Sequence, residues 1–253
     1  MGEPIWTGPA VAVVTLFDAD GGLLAAQTGA HAARLVAAGM RAVVVAGSTG
    51  EAATLSDAER VELVAAVRAA CPGVPVVAGS SGEWHGMAAE RTAAVLEAGA
   101  DAVLVAPPRL GGDLGVYYDK VAEAAGGAPV LAYHYPGVAG GPVPVGALTG
   151  LPVAGVKDSS AEPARLSAEL DLGDRSVYTG AAALLGYAGW LGATGAIVAA
   201  GNLVPEKCLA AWSGDADAQR EVTRTEAAYK ARPGGLKAAL AEAHGTSPTR
   251  RLG

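Results

Sequence analysis

The chain has 253 residues, of which 51% are hydrophobic and 17% are charged, and its formal net charge is -7 at pH 7. A hydrophobic fraction this high supports a buried core and excludes an intrinsically disordered chain. No run of Lys or Arg offers a track for phosphates or anionic lipids, so we expect neither a nucleic acid nor a membrane as a partner.

Cysteine usage and the apolar runs bear on cofactors and location. Cys71 and Cys208 are the only cysteines, and they lie beside neither CxxC spacing nor a His cluster, so we expect no metal site and no redox pair. The N-terminus has an acid and a proline where a signal peptide needs basic residues followed by a long apolar stretch. Other apolar runs end well before the roughly 20 residues of a membrane span. We therefore expect a cytoplasmic protein.

Eight short Val-rich runs follow one another along the chain, separated by longer Ala-, Leu- and Glu-rich segments of helical character. The runs cover residues 11–17, 42–47, 74–79, 101–107, 128–133, 153–157, 176–180 and 195–199. They are almost wholly apolar, as parallel strands covered on both faces are. Eight strand–loop–helix units without a linker predict an α/β fold, a (β/α)8 TIM barrel, rather than a doubly wound sheet.

The domain organisation follows from these units. Residues 1–202 form the predicted barrel, and residues 203–253 are predicted to be helices packed on it, with one break at "RPGG", so that the chain is a single domain overall. Ser56 ahead of Glu59 predicts a capping box at the start of a helix. Gly39 and Gly99 are predicted to end helices.

A lysine stands at the end of the sixth predicted strand, in "GVKDSS". Active sites of such barrels lie at the C-terminal ends of the strands, so Lys157 can point into the top of the barrel. A lysine in a nearly charge-free barrel is poorly solvated, which favours the neutral, nucleophilic amine that forms a Schiff base. Position alone leaves two interpretations open: an imine-forming lysine, or a structural lysine that pairs with Asp158 or reaches solvent.

Two other strand ends carry polar groups. Tyr133 ends the fifth strand, next to the sixth, and its hydroxyl is either a proton relay for Lys157 or part of a packed aromatic. The second strand ends in "GSTG", where Gly47, Ser48 and Thr49 supply two hydroxyls and consecutive backbone N–H groups. Such a turn is a suitable nest for a small carboxylate, although similar loops also serve only to turn the chain.

Four stretches together resemble one family. "GSTGEAATLSDAER", "YHYPG", "GVKDSS" and "GATGAIVAAGN" stand in the order and spacing of the dihydrodipicolinate synthase / N-acetylneuraminate lyase family of class I pyruvate aldolases, from about residue 5 to about residue 205. Tyr133 and Lys157 are 24 positions apart, as in that family's signature. The motifs look closer to the 2-keto-3-deoxy-sugar-acid aldolases than to the synthase itself.

The resemblance implies a role for each matched residue. Lys157 would form an imine with the keto carbon of pyruvate or another 2-oxo acid, and Tyr133, with Ser48, would move protons. Ser48 and Thr49 would hold the substrate carboxylate in the turn that Gly47 opens. Ile197 matches the position whose backbone lines the pyruvate site. The resemblance implies no metal and no organic cofactor, an aldehyde as second partner, and a homo-oligomer, dimer or tetramer.

The sequence departs from the synthase pattern at two positions. Val138 stands where the synthase has an arginine for the second substrate's carboxylate, and Arg109 stands where it has a tyrosine that crosses the subunit interface. Both departures count against synthase activity. The threonines of the sugar-acid aldolases are replaced by Gly137 and Ala139. Arg109 either binds a carboxylate of an acidic partner or is a solvated loop arginine.

Three functions stay open at this stage. The first is a Schiff-base lyase that cleaves or forms a C–C bond in a 2-oxo acid. The second is a dehydratase or hydrolase that uses the same imine. The third is a pyruvate-binding, regulatory relative that has lost turnover.

Overall fold

Eight parallel strands pair in chain order and close into a barrel in the computed structural model, which describes residues 3–252. The strands are β1 (Gly8–Ala12), β2 (Val43–Val45), β3 (Val76–Gly79), β4 (Ala102–Val105), β5 (Val130–His134), β6 (Gly155–Asp158), β7 (Ser176–Thr179) and β8 (Gly195–Val198). Strand β8 pairs with β1 and so closes the ring. The predicted (β/α)8 barrel is confirmed.

Helices follow each strand and surround the barrel. Those between strands are α1 (Ala25–Ala37), α2 (Asp57–Ala70), α3 (His85–Glu97), α4 (Leu114–Ala125), α5 (Val145–Leu148), α6 (Pro163–Leu170) and α7 (Leu185–Trp190). Three more follow β8: α8 (Pro205–Trp212), α9 (Ala216–Ala231) and α10 (Gly235–His244). Within residues 3–252, no helix is both long and apolar enough to cross a lipid bilayer.

The C-terminal helices have one more break than predicted. Besides the break at "RPGG", where Gly234 adopts a φ of 75°, the chain turns between α8 and α9. Asp215 caps α9 there, and its carboxylate accepts hydrogen bonds from the N–H groups of Asp217 and Ala218. Beyond α10, residues 245–252 are not helical, so the prediction of helices up to residue 253 was wrong for this segment.

The first strand lies earlier in the chain than the apolar run predicted. The run 11–17 predicts a strand over its whole length, but β1 ends at Ala12. Beyond it, Val14 and Leu16 pack against Leu240 of α10, so a helix rather than a neighbouring strand buries them. An apolar run shows only that its residues are buried. Here neighbouring strands bury the first part of the run, and helix α10 buries Val14 and Leu16.

Successive residues of each strand face two different cores. In β2, Val44 points into the barrel interior, whereas Val43 and Val45 pack against the surrounding helices. At the N-terminal end of the barrel, Trp6 stacks on Tyr178 with ring centroids 4.1 Å apart. The opposite, C-terminal end is left for polar side chains.

The predicted helix boundaries are confirmed where capping chemistry specified them. Ser56 and Glu59 form the predicted capping box, in which the Ser56 hydroxyl accepts from the Glu59 N–H and the Glu59 carboxylate accepts from the Ser56 N–H. Gly39 and Gly99 follow α1 and α3 with φ values of 102° and 104°, which favour glycine.

Candidate active site

Lys157 and two tyrosines lie in one layer of the barrel. The strand register places Tyr133 of β5 and Tyr178 of β7 on either side of Lys157 in β6. The Lys157 side chain is buried, with the residue 5% exposed, and its Nζ lies 4.3 Å from the centroid of the Tyr133 ring. The Lys157 amine and the Tyr133 phenol therefore face the same cavity, whereas the Tyr178 ring packs against Trp6.

A glycine makes room for the lysine. Gly180 directly follows β7, and a Cβ atom added there would clash with the Ser159 hydroxyl and lie 3.0 Å from Lys157 Cε. Any side chain at position 180 would displace one of these groups. The "YTG" end of the seventh strand thus shapes the space around the lysine.

The alternative interpretation of Lys157, a pair with Asp158, is not what the structure shows. Asp158 points to the other face of β6, where its carboxylate accepts from the Ser160 hydroxyl at 2.8 Å and lies 3.4 Å from the guanidinium of Arg165. Among residues 3–252, Lys157 forms no ion pair. The amine is therefore left facing the cavity.

Tyr133 contacts the groups expected of a proton relay. Its hydroxyl lies 3.5 Å from Ser48 Oγ, at the long end of hydrogen-bond range. Burial alone would raise the pKa of Tyr133, but the nearby Lys157 ammonium and hydrogen bonds with Ser48 and Ser159 outweigh burial and lower that pKa. A phenol with a lowered pKa releases its proton more readily.

The "GSTG" segment forms a tight turn at the end of β2. Residues Ser48–Gly50 make one 3-10 turn, which the Thr15 hydroxyl supports by donating to the Gly50 carbonyl at 2.7 Å. In the described part of the chain, the N–H groups of Ser48 and Thr49 have no protein acceptor. Two unpartnered amides and two hydroxyls can bind a carboxylate.

Two adjoining cavities open at this end of the barrel. One, of about 670 Å³, is lined by Lys157 together with Tyr133, Ser48, Thr49 and Ile197. The other, of about 300 Å³, shares Ser48 and Tyr133 and also includes Gly47 and Arg109. The structure thus brings all seven predicted residues to one end of the barrel, and five of them to the cavity of the lysine.

Arg109 is the predicted residue least involved with the others. Its guanidinium donates to the Val138 carbonyl at 2.8 Å, and the side chain is exposed. It lines the smaller cavity and not the one that holds Lys157. This arrangement favours the interpretation of a loop arginine that supports the segment after β5.

A buried ion pair beside the turn was missed by the sequence analysis. Glu51 follows the turn and pairs with Lys237 of α10, and these residues are 7% and 3% exposed. Glu51 has a φ of 54°, a left-handed conformation that a residue with a side chain adopts at a cost of roughly 1 kcal/mol. Burial lowers the pKa of Lys237, and the Glu51 carboxylate partly offsets that effect.

The segment of residues 245–252 is anchored at the same place. The Glu51 carboxylate accepts hydrogen bonds from the N–H groups of Arg251 and Leu252, at 2.9 and 3.0 Å. The Arg251 guanidinium pairs with Glu59 of α2 and lies over the Phe17 ring, 4.2 Å from its centroid. Arg250 and Leu252 line the cavity of Lys157, so this segment forms part of the cavity wall.

These features define the class of protein: a TIM barrel with a buried lysine in its sixth strand that faces a cavity at the C-terminal end. The family model of the dihydrodipicolinate synthetase family matches residues 6–222. The chain belongs to that family, whose members are pyruvate-dependent lyases.

Curated relatives match over different lengths. An uncharacterized DapA-like lyase of Halobacterium salinarum is 31% identical over 259 residues, covering 94% of this chain and 85% of the relative. A 4-hydroxy-tetrahydrodipicolinate synthase of Xanthomonas axonopodis is 36% identical over 79% of this chain and 69% of its own length. For a Synechococcus enzyme of the same name, 41% identical, the match spans only 44% of the relative.

Solved structures agree with the family. The dihydrodipicolinate synthase of Acinetobacter baumannii, solved with pyruvate, superposes with a TM-score of 0.85 at 25% identity, covering 97% of this chain and 92% of that one. The synthase of Aquifex aeolicus gives a TM-score of 0.86 at 26% identity, covering 98% and 91%.

Proposed function

We propose that the protein is a class I lyase that forms a Schiff base with a 2-oxo acid and breaks or makes a C–C bond in it, with pyruvate as the common partner. The observation that carries the proposal is the buried Lys157 amine beside the Tyr133 ring, 4.3 Å from its centroid, in a cavity that also contains the Ser48–Gly50 turn. The pyruvate complex of the Acinetobacter synthase supports the choice of ligand.

The first step is imine formation. The neutral Lys157 amine attacks the keto carbon of the 2-oxo acid, and the resulting carbinolamine loses water to give a protonated C=N bond. Tyr133 lies where its phenol can give the leaving hydroxyl a proton. The carboxylate of the substrate accepts hydrogen bonds from the hydroxyls and N–H groups of Ser48 and Thr49, which fixes the keto carbon near the amine.

The imine then acts as the electron sink. Tyr133, as phenolate, takes the proton of the C4 hydroxyl; the C3–C4 bond breaks, and its electron pair forms an enamine with the imine carbon. The aldehyde leaves, Tyr133 returns the proton to C3, and water hydrolyses the pyruvate imine. Hydrolysis of the protonated imine releases one proton, which restores the Tyr133 phenol. All proton transfers thus run between Tyr133, the substrate and water, and the proposed reaction requires no metal or organic cofactor.

Several relatives are named 4-hydroxy-tetrahydrodipicolinate synthase, so synthase activity is the second candidate. We expect it to be weak, because Val138 cannot make the bidentate contact that an arginine gives to a carboxylate. The measurement is condensation of pyruvate with aspartate semialdehyde, compared with cleavage of a 2-keto-3-deoxy-sugar acid. Faster condensation than cleavage would replace the aldolase assignment with the synthase.

Borohydride trapping tests the imine directly. With pyruvate and borohydride, the intact mass should increase by one reduced pyruvate adduct. Lys157→Ala should show no adduct while keeping its far-ultraviolet circular dichroism, and Lys120→Ala, which removes an exposed lysine of α4, should label fully. An adduct on Lys157→Ala would refute the assignment of the nucleophile.

Turnover separates an enzyme from a binding protein. A panel of 2-oxo acids, followed by release of pyruvate, distinguishes a lyase from a regulatory relative that forms the imine and stops. Loss of water without an aldehyde product would indicate a dehydratase.

We propose further that the protein is a cytoplasmic homo-oligomer. The fully exposed side chain of Leu110, beside Arg109, supports a subunit interface at this loop, and light scattering measures the mass of the oligomer.

A further inference from the structure

The cavity that holds Lys157 differs in charge from the rest of the molecule. The whole chain has 18 basic and 25 acidic residues, but five basic and two acidic side chains line this cavity. A positive cleft in a negative protein concentrates anionic ligands. The one carboxylate that the Ser48–Gly50 turn can hold does not account for this excess.

Ion pairs within the cavity leave only some of its basic side chains free to bind an anionic ligand. Both acidic side chains of the cavity are paired with a lysine of the same cavity: Glu51 with Lys237, and Glu226 with Lys230 at 3.2 Å. Apart from Lys157, the remaining cations are Arg232 and Arg250. Arg232 follows α9 and pairs with Glu242 at 2.9 Å, a contact that leaves most of its donors available.

Arg250 is the cation with the fewest protein contacts. Among residues 3–252 it forms no ion pair and no side-chain hydrogen bond, although it lines the cavity. Its neighbour Arg251 is fixed to Glu59, and the next residue, Leu252, is fixed to Glu51, so the backbone that carries Arg250 is held in place. Because the backbone of Arg250 is fixed and its guanidinium has no protein partner within the described residues, this side chain can bind an anionic ligand.

The segment that carries Arg250 is anchored beside the loops that follow β1 and β2. Arg251 donates to the carbonyls of Gly21 and Thr54, which follow β1 and β2, whereas Val138 follows β5. In a ring of eight strands, β5 lies opposite β1. Val138 and Leu252 nevertheless line both cavities, so the space near Arg250 is continuous with the space near position 138.

We infer that Arg250 and Arg232 form a subsite for a second anionic group, a carboxylate or a phosphate, at the end of the 2-oxo acid remote from its keto carboxylate. The inference rests on the proposed imine with Lys157. It gives the substrate class as a dianionic 2-oxo acid, a dicarboxylate or a phosphorylated sugar acid. A guanidinium provides the paired donors that both groups accept.

The test uses pairs of 2-oxo acids that differ only at the remote end. 2-Oxoglutarate and 2-oxopentanoate have the same chain length, with and without a terminal carboxylate; 2-keto-3-deoxygluconate and its 6-phosphate form the phosphate pair. The half-saturating concentration of each is read from the fraction of chain trapped by borohydride. We expect the dianion of at least one pair to saturate at a concentration about 10-fold lower, as for a charge-assisted contact at a solvated site.

Variants locate the subsite. Arg250→Ala combined with Arg232→Ala should remove the preference for the dianion and leave 2-oxopentanoate and pyruvate unchanged. Arg224→Ala, which removes an exposed arginine of α9 outside the cavity, should keep the preference. The preference should also shrink at high ionic strength, because exposed charges are screened.

The outcomes separate the two proposals. Equal half-saturation within both pairs, together with a normal pyruvate adduct, overturns the anion subsite and leaves the imine standing. A preference that survives the double variant also overturns it. Absence of any pyruvate adduct overturns the proposed function and, with it, the subsite. A preference confined to the carboxylate pair or to the phosphate pair identifies which anion the subsite serves.

Discussion

The cavity above the barrel has two walls of different construction. One wall comes from the strands: Tyr133 and Lys157 sit on β5 and β6, in register and with few charges around them. The other comes from α9, α10 and residues 245–252, and contains paired and unpaired ions. The strand wall carries the proposed chemistry, and the helix wall carries the proposed choice of substrate. A barrel can therefore keep one while changing the other.

The largest expected effect tests whether the helix wall is also structural. Lys237→Met leaves the buried Glu51 carboxylate without its partner, which should lower the free energy of unfolding by about 3 to 5 kcal/mol. Glu51→Gln, which keeps an acceptor for the Arg251 N–H, should cost a similar amount. Urea denaturation measures both.

The double variant Glu51→Gln, Lys237→Met is the control for that prediction. It removes both charges, so it should be more stable than the sum of the single changes implies. If the three variants are as stable as the parent, the ion pair contributes nothing and the helix wall serves substrate alone.

The next effect tests the strand wall. Tyr133→Phe should slow turnover about 100-fold, in the usual range for loss of a general acid–base group, while the pyruvate adduct still forms. Tyr187→Phe, at a tyrosine of α7 outside the cavity, should be unchanged. The measurement is the rate of pyruvate release on the best 2-oxo acid. Parental activity in Tyr133→Phe would exclude the relay.

A smaller effect concerns acid. The hydrogen bond with Arg251 lowers the pKa of Glu59 from 4.5 to about 2. The contact therefore stabilises the protein fully above pH 4.5, and that contribution is lost as the pH falls from 4.5 towards 2. We expect residues 245–252 to become more sensitive to an acid protease over this interval. Glu59→Gln should show the same sensitivity already at neutral pH, where a protease that is active at neutral pH measures it. If the parent at low pH and the variant at neutral pH both resist cleavage, Arg251 is not the anchor.

The smallest effect is expected at Arg109. Because its guanidinium contacts the Val138 carbonyl and does not line the cavity of Lys157, Arg109→Ala should change turnover by less than about 3-fold, as for an exposed charged contact. Steady-state kinetics on the same 2-oxo acid measures it. An inactive Arg109→Ala enzyme would place that arginine in the chemistry after all.

The strand wall could be predicted from the sequence, because a strand end has a fixed place in a barrel. The apolar run before Lys157 specified its element, and the order of the runs placed Tyr133 beside it. The extent of β1 could not be predicted in this way, because Val14 and Leu16 are equally apolar but are buried by α10. The apolar composition of a run predicts that its residues are buried, but it does not predict which element buries them.

The helix wall could not be predicted, because its contacts join distant parts of the chain. Glu51 and Arg251 are 200 positions apart, and no local pattern relates a loop acid to a backbone N–H in residues 245–252. The break at residues 213–215 was missed for a different reason: "SGD" is only three residues long, although Asp215 is a typical N-cap residue. The two sides of the site thus depend on different kinds of information.

The Glu51 carboxylate touches the backbone of residues 251 and 252 and directly follows the turn proposed to hold the substrate carboxylate. Substrate binding at the turn and docking of residues 245–252 on Glu51 are then thermodynamically coupled. If the docked segment increases the affinity of the turn for substrate, bound substrate must stabilise the docked segment by the same free energy. Even pyruvate, which has no second anionic group to reach Arg250, would then slow amide hydrogen exchange in residues 245–252. Because of this coupling, substitutions in residues 245–252 can change the affinity for a 2-oxo acid without any change in the residues of the barrel.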